Sequence, residues 1–274
     1  SAIHCFASNM NPGIADLCSR LALGNINDPK AVVEYARETS STMAIIGPEN
    51  PLAAGVADAL WDMGIQVVGP KKDLAQLETS KAFTRDLLKE YNIPCGPHYH
   101  TFDSMEGVSE FLAELGENYV VKYDGLAGGK GVRVAGDHLQ SHNEALAYCM
   151  ELVDKGGEFV MEEKFIGQEF SLMSFCDGDT LKHMPAVQDH KRAYEGDRGP
   201  NTGGMGTYSD ANHSLPFLKD SDIQEAHTIN IATAKALKNK FGEGYKGVLY
   251  GGFMATGNGV KLIEYNAQIG RAHV

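Results

Sequence analysis

The chain is poor in cysteine, and the cysteines it has are not arranged to act together. Cys5, Cys18, Cys95, Cys149 and Cys176 are widely spaced and contain no CxxC pair, which excludes a disulfide framework or a zinc site as the organising feature. They read as reduced structural thiols of a cytoplasmic protein. Long apolar runs are missing too. No stretch approaches the ~18 residues that cross a bilayer, and Ser1-Ala2-Ile3-His4-Cys5 has no basic segment leading into an apolar one, so no membrane partner or export signal is expected. Positive charge is scarce: 24 Lys and Arg stand against 36 Asp and Glu, a net charge of −12. A nucleic-acid partner is therefore not expected, because such proteins carry a basic face that replaces phosphate counterions. Internal repeats and low-complexity linkers are absent as well, and no strand-to-helix corner of the first seventy-five residues carries the GxGxxG of dinucleotide folds. What remains is 43% hydrophobic and 22% charged over 274 residues, an ordinary globular composition. The length suits two or more lobes, since single cores stop growing at roughly 250–300 residues.

The local patterns alternate strand and helix. Met43-Ala44-Ile45-Ile46-Gly47 reads as a buried strand ending at the corner Gly47-Pro48-Glu49, with Pro51 near the start of one helix through Trp61. Ile65-Gln66-Val67-Val68 repeats the pattern up to Gly69-Pro70. Such alternation predicts a parallel, doubly wound N-terminal sheet with both Gly-Pro corners on the ligand side. One helix is expected from Leu74 to Tyr91, carrying Lys81, and another from Ser104 to Leu115. A strand at 119–122, a Gly-rich turn and a strand at 132–134 follow, then a helix from Ser141 to Val153. Residues 158–163 and 169–175 are expected to pair as antiparallel strands about Gly167, and Asp177-Gly178 marks a hairpin. A helix through Ile223 and Leu237 precedes two terminal strands, 247–256 and 259–265.

Four segments carry chemistry. In Val121-Lys122-Tyr123-Asp124-Gly125-Leu126-Ala127-Gly128-Gly129-Lys130-Gly131-Val132 glycines surround a lysine between two strands. Backbone there can approach phosphates closely while Lys130 offsets their charge. The spacing is not that of the common nucleoside-triphosphate loop, because Asp124 and Gly131 stand where a glycine and a Ser or Thr are required. A strand-loop-strand flap results; taken alone, a flexible hairpin with a solvated lysine accounts for it equally well. The segment Glu162-Glu163-Lys164-Phe165-Ile166-Gly167-Gln168-Glu169-Phe170-Ser171 offers carboxylates on either side of an apolar turn, a set able to hold an adenine and a ribose, with a Glu-rich surface strand as the plainer account. In Ile263-Glu264-Tyr265-Asn266, alternation puts Glu264 and Asn266 on one face, where two oxygens can converge on a hard cation such as Mg2+. An exposed polar pair on an edge strand would look the same. Finally, Gln188 to Gly206 is too polar and Gly-rich for core, and long ordered loops of that kind tend to be functional. His190 within it reads as a hydrogen-bonded positioner rather than a base.

Together these segments resemble the phosphoribosylamine–glycine ligases, or glycinamide ribonucleotide synthetases, of the ATP-grasp superfamily. The resemblance covers nearly the whole chain: Gly47 to Leu52, Gly69-Pro70, Leu77 to Phe83, the flap, Gln188 to Arg192, Gly199 to Gly206 and Ile263 to Asn266. The 188–206 loop is specific to this family, whereas the flap and the Glu-x-Asn end indicate only ATP-grasp. The resemblance implies an α/β chain, with a partial doubly wound parallel sheet over residues 1–75 and an ATP-grasp fold of two α+β lobes over 76–267, of which 119–187 is the lid. It implies ATP-dependent ligation of glycine to 5-phosphoribosylamine through a glycyl phosphate, in purine biosynthesis, with ATP and Mg2+ (or Mn2+) as cofactors. By the same resemblance Lys81 and Lys122 contact phosphates, and Gly128, Gly129, Lys130 and Gly131 close over them. Glu163, Lys164, Phe165 and Ile166 would hold adenine, Glu169 the ribose, and Glu264 and Asn266 the metal. Asp189, Lys191, Arg192, Asn201, Thr202, Gly203 and Gly204 would line the glycine and phosphoribosylamine sites. Another ATP-grasp ligase or a carboxylating enzyme would keep the flap without the 188–206 signature, and a non-catalytic ATP-binding domain need not keep Glu264 and Asn266. The match departs in three places. Val248 to Gly252 supplies no second metal-binding acid, the family's first strand and loop do not precede Ser1, and the likeness stops at Ala267. Gln268 to Val274 is expected to be foreign, since one reading frame of a common sequencing-adapter oligonucleotide encodes such a peptide, and the chain as it stands is expected to be an impaired catalyst.

Overall fold

A computed structural model describes residues 2–127, 131–196, 198–202 and 204–267. Its first part contains β1 (His4–Ala7), α1 (Pro12–Leu17), β2 (Arg20–Leu23), α2 (Pro29–Glu38), β3 (Met43–Ile45), α3 (Glu49–Ala53), α4 (Val56–Asp62), β4 (Gln66–Val68) and α5 (Lys72–Thr79). Helices open where the sequence supplies caps: the Asn11 and Asp28 side chains accept backbone N–H bonds from Ile14 and Lys30, and each is followed by a proline. The strands form two parallel pairs, β1–β2 and β3–β4, the arrangement predicted for this part. Three details differ from expectation. Met43 and Ile45 are 52% and 62% exposed rather than buried, because they share the face of β3 that no described element covers. The single helix through Trp61 is two, broken where Gly55 takes φ +83°. The Gly69-Pro70 corner is buried, its Gly69 N–H donating to the Lys246 carbonyl at 3.1 Å, so it packs inward instead of facing a ligand.

The helix expected from Leu74 to Tyr91 also splits. Ser80 is extended and caps α6 (Lys81–Glu90) by accepting the Phe83 N–H at 2.9 Å. There follow β5 (Tyr99–Phe102), α7 (Val108–Leu115), β6 (Tyr119–Tyr123), β7 (Val132–Val134), α8 (His142–Asp154) and β8 (Phe159–Glu163). The strands make an antiparallel sheet in the order β5-β8-β6-β7. Phe102, Leu112, Cys149, Phe159 and Met161 belong to its separate core.

The remaining elements are β9 (Gly167–Asp177), β10 (Leu181–His183), β11 (Gln188–Asp189), β12 (Arg192–Tyr194), β13 (Arg198–Asn201), β14 (Thr207–Tyr208), α9 (Asp220–Phe241), β15 (Lys246–Thr256) and β16 (Gly259–Asn266). Strands β10-β9-β15-β16 form the larger antiparallel sheet, and its core is continuous from Ala36 to Ala267. The division expected at residue 75 is therefore not a break in packing. The expected pairing of 158–163 with 169–175 is overturned: β8 lies in the smaller sheet and β9 in the larger, with residues 164–166 crossing between them. Each segment has a strand's alternation, but alternation does not name the partner. The lid accordingly runs from β5 to β8 rather than over 119–187. Its entry and exit lie side by side, the Glu163 N–H donating to the His98 carbonyl at 2.9 Å, and its entry is tied to the larger sheet by Leu262 N–H to Cys95 carbonyl at 2.8 Å. Among the described residues no helix is long and apolar enough to cross a membrane.

Candidate active site

The base of the flap is anchored on α6. β6 and β7 pair with Lys122 opposite Val132, giving the strand-loop-strand form predicted. Gly131 is needed there because a Cβ would lie 2.8 Å from the Ala127 Cβ. Asp124, which sequence reasoning passed over, accepts from the Ser80 hydroxyl at 2.9 Å, from the Ala82 N–H at 3.2 Å and from the Lys81 N–H. A carboxylate at a helix N-terminus satisfies otherwise unpaired donors and meets the positive end of the helix dipole. The Lys81 ammonium donates to the Gly125 carbonyl at 2.7 Å. Gly128, Gly129 and Lys130 lie outside the described residues.

Behind the flap is a buried cluster of charge. Arg85, Lys122 and Glu162 are 2%, 3% and 3% exposed. Arg85 grips Glu162 through Nε at 2.8 Å and Nη2 at 3.1 Å, and Lys122 pairs with the same carboxylate. Both cations also donate to the Ile263 carbonyl, Arg85 at 2.6 Å and Lys122 at 3.0 Å. Two cations share one anion. Burial pushes the Lys122 ammonium below its ordinary value, with Glu162 and Glu264 pulling the other way. For Glu162 burial is outweighed by Arg85 and Lys122, which hold the carboxyl down. Glu162 is thus the counter-ion of this cluster and not part of an adenine edge. No sequence signal marked Arg85; on an amphipathic helix an arginine reads as solvent-facing.

The crossing from β8 to β9 carries Glu163, Lys164, Phe165 and Ile166. The Lys164 ammonium donates to the Ala135 carbonyl at 2.7 Å and its N–H to the Asn118 carbonyl at 2.9 Å, so this residue braces the lid. Ile166 is 66% exposed. On β9, Phe170 and Leu172 face the core while Glu169 and Ser171 alternate to the other side, where the Ser171 hydroxyl donates to that of Tyr250 at 3.0 Å. Glu169 is ion-paired with Lys191. Burial opposes charge on Lys191, but Glu169 and Glu264 together raise its pKa, so the ammonium persists and brings the 188–206 region towards the Glu-x-Asn strand.

That region is built from two short antiparallel pairs, β11–β14 and β12–β13. Asp189 lies beside Gly204, whose φ of +126° favours glycine and whose Cβ would sit 3.2 Å from the Asp189 carboxylate. Arg192 donates to the Gly199 carbonyl at 2.9 Å and lies 3.5 Å from Asp137 of the lid. The Thr202 hydroxyl donates to the Lys191 carbonyl at 3.0 Å and accepts the Gly204 N–H at 3.1 Å. The His190 ring stacks on Tyr208, with centroids 5.7 Å apart. Asn201 pairs with Arg192 through the strand register, and Gly203 lies outside the described residues.

Glu264 and Asn266 open onto a cleft of about 690 Å³, counting its mouth, that Glu49, Glu78, Lys81, Arg85 and Gly131 also line. Glu163 to Ile166, Glu169 and the 188–206 residues do not line it. Glu78, another residue passed over, accepts the Ala267 N–H at 2.7 Å. Gly252 stands opposite Glu264, so the neighbouring strand adds no acid there. Among the described residues no three His, Cys, Asp or Glu side chains gather to hold an ion. Two oxygen donors on one strand face fit Mg2+, which takes one or two protein oxygens and completes its shell with waters and phosphates.

Two α/β lobes, with a strand-loop-strand flap facing a Glu-x-Asn strand across a cleft, define an ATP-grasp fold. Phosphoribosylamine–glycine ligase of Thermotoga maritima superposes on the chain with a TM-score of 0.81 at 24% identity, covering 98% of this chain and 69% of that one. D-alanine–D-alanine ligase of Bacillus anthracis does so with a TM-score of 0.70 at 15% identity, covering 98% and 88%. Family models of phosphoribosylglycinamide synthetase match the sequence, the N domain over residues 1–78 and the ATP-grasp (A) domain over 79–273. Phosphoribosylamine–glycine ligases of Methanosarcina barkeri and Methanocaldococcus jannaschii are 49% identical over 269 residues and 47% over 275, each alignment covering 98% of this chain. The chain belongs to the phosphoribosylglycinamide synthetase family. It spans about 62% of the length of these curated relatives.

Proposed function

We propose that this chain carries the ATP-binding and metal-binding part of a ligase that joins glycine to 5-phosphoribosylamine, giving glycinamide ribonucleotide, ADP and phosphate. The observation that carries the reading is the convergence of Lys81, Glu264 and Asn266 on one cleft beside the base of a Gly-rich flap, with Lys122 buried behind it and bonded to the Ile263 carbonyl, in a chain of this family. Lys81 and Lys122 bind the phosphates, while the 125–131 loop closes over them and excludes water. Glu264 and Asn266 hold Mg2+ (or Mn2+), which when bound offsets the charge of the phosphates. Glu163 to Ile166 hold the adenine and Glu169 the ribose. The glycine carboxylate attacks the γ-phosphorus, breaking its bond to the β-γ bridging oxygen and releasing ADP. The ribosylamine nitrogen then attacks the acyl carbon of glycyl phosphate and phosphate leaves. Such chemistry depends on alignment and charge neutralisation and needs no protein nucleophile. Lys191 and Arg192, with Asp189, Asn201 and Thr202, orient the glycine and phosphoribosylamine.

The test is ADP release by the chain extended to the length of its relatives. Release that requires both glycine and phosphoribosylamine is expected, with a loss of at least a hundredfold in Lys122→Ala and Glu264→Ala. Turnover that continues unchanged without glycine, or that survives both substitutions, would sink the reading.

A further inference from the structure

The alternation of β16 is broken at one residue, and the break decides where the Glu-x-Asn pair points. Val260 and Leu262 are fully buried, and so are Tyr265 and Ala267, so the buried positions change from even to odd within a single strand. The register shows how: Leu262 pairs with Phe253 and Glu264 with Gly252, leaving Ile263 as the extra residue of a bulge. Leu262 and Tyr265, three positions apart, therefore share the core face, and the Tyr265 hydroxyl reaches Asn230 and Thr233 of α9 at 3.0 Å each. In a regular strand Glu264 and Asn266 would continue the row of Val260 and Leu262 and enter the core, since a slip of one residue exchanges the two faces.

The bulge is held from outside its own sheet. Arg85 donates to the Ile263 carbonyl at 2.6 Å and to the Leu262 carbonyl at 3.2 Å, while its other two contacts grip Glu162 of the lid. Four of its N–H directions are thereby used, in a planar fork that lysine does not reproduce. A buried charge cluster of this kind adds little net stability compared with apolar packing, so its consequence is best sought in the geometry it imposes.

We propose that Arg85 is a positioning residue for the metal site: it pins the bulge at Ile263, turning Glu264 and Asn266 into the cleft, and holds Glu162 in place as the counter-ion of Lys122. The assignment rests on the metal–nucleotide reading of the cleft given above.

The experiment compares the unsubstituted chain with Arg85→Gln and Arg85→Lys. It measures Mn2+ binding by electron paramagnetic resonance at saturating ATP, adenosine binding without metal, and hydrogen exchange of the 262–266 amides without ligand. Arg85→Gln is expected to weaken Mn2+ binding at least tenfold and to speed exchange at 262–266, with adenosine affinity changed less than twofold. Arg85→Lys keeps the charge and is expected to fall between; should Arg85→Gln not fold, Arg85→Lys is read against the same criteria with a threefold threshold. Equal loss of Mn2+ and adenosine binding, or unshifted Mn2+ binding in a folded variant, would overturn the role of Arg85 while leaving the site reading intact. Absence of metal-dependent ATP binding by the unsubstituted chain would overturn both.

Discussion

Asp124→Ala removes the anion that joins the flap to the start of α6. Three donors lose their acceptor: the Ser80 hydroxyl at 2.9 Å, the Ala82 N–H at 3.2 Å and the Lys81 N–H. Loss of a helix N-terminal cap costs about 1 kcal/mol, and a hydrogen bond to a charged group contributes roughly 1.5–3 kcal/mol. Because Ser80 still caps Phe83, the contributions overlap, and a net loss of about 2–3 kcal/mol is expected. For a chain of this size, each kcal/mol moves the melting temperature by roughly 2–4 °C, so calorimetry or circular dichroism should show a fall of about 5–10 °C. Asp124→Asn, which keeps an acceptor but no charge, should lose about half as much. Ser80→Ala and Asp124→Ala should be coupled by roughly 0.5–3 kcal/mol in a double-mutant cycle, because they share a hydrogen bond. A melting temperature of Asp124→Ala within about 1 °C of the parent, or strict additivity with Ser80→Ala, would refute the anchoring argument.

Two further outcomes follow from packing and titration. Gly167→Ala would set a Cβ 2.0 Å from the Ala255 carbonyl oxygen, a backbone atom that cannot swing away; a loss of about 1–3 kcal/mol is expected from denaturant midpoints, whereas Gly257→Ala, with nothing within 4 Å, should stay within about 0.5 kcal/mol. His183 is pushed down to about 4 by burial and by the stacked His227, so the unfolded chain binds more protons between about pH 6.5 and pH 4. The stability tied to the neutral ring is complete above that window and lost as pH falls through it, amounting to roughly 1–2 kcal/mol after solvent screening. His183→Gln should flatten that limb of a urea-midpoint profile, and an unchanged slope would contradict the account.

What could be read from sequence was what is local. The flap declared itself because its glycines stand between two strands in one stretch, and the helix from Ser141 was legible because the residue that caps it lies beside it. The break at Ser80 stayed hidden because apolar spacing continues across it, while the anion that stabilises it is 44 residues away in sequence. Glu162 was read only as one of a carboxylate pair in the segment for adenine and ribose, because its partner Arg85 lies 77 positions earlier. Alternation placed Glu264 and Asn266 together correctly, yet gave no hint of the extra residue at Ile263 that brings them to the cleft side. The pairing of β8 and β9 failed for the same reason: strand character is written in a segment, its neighbour in the sheet is not.

The lid is an uninterrupted stretch whose two ends run alongside each other, joined by the Glu163 to His98 hydrogen bond. Two adjacent connections define one line, and the Asp124 and Glu162 contacts with α6 brace the lid against turning about it. A lid mounted in this way also has the anatomy of a cassette, since both of its cuts fall at one place on the surface of the larger lobe.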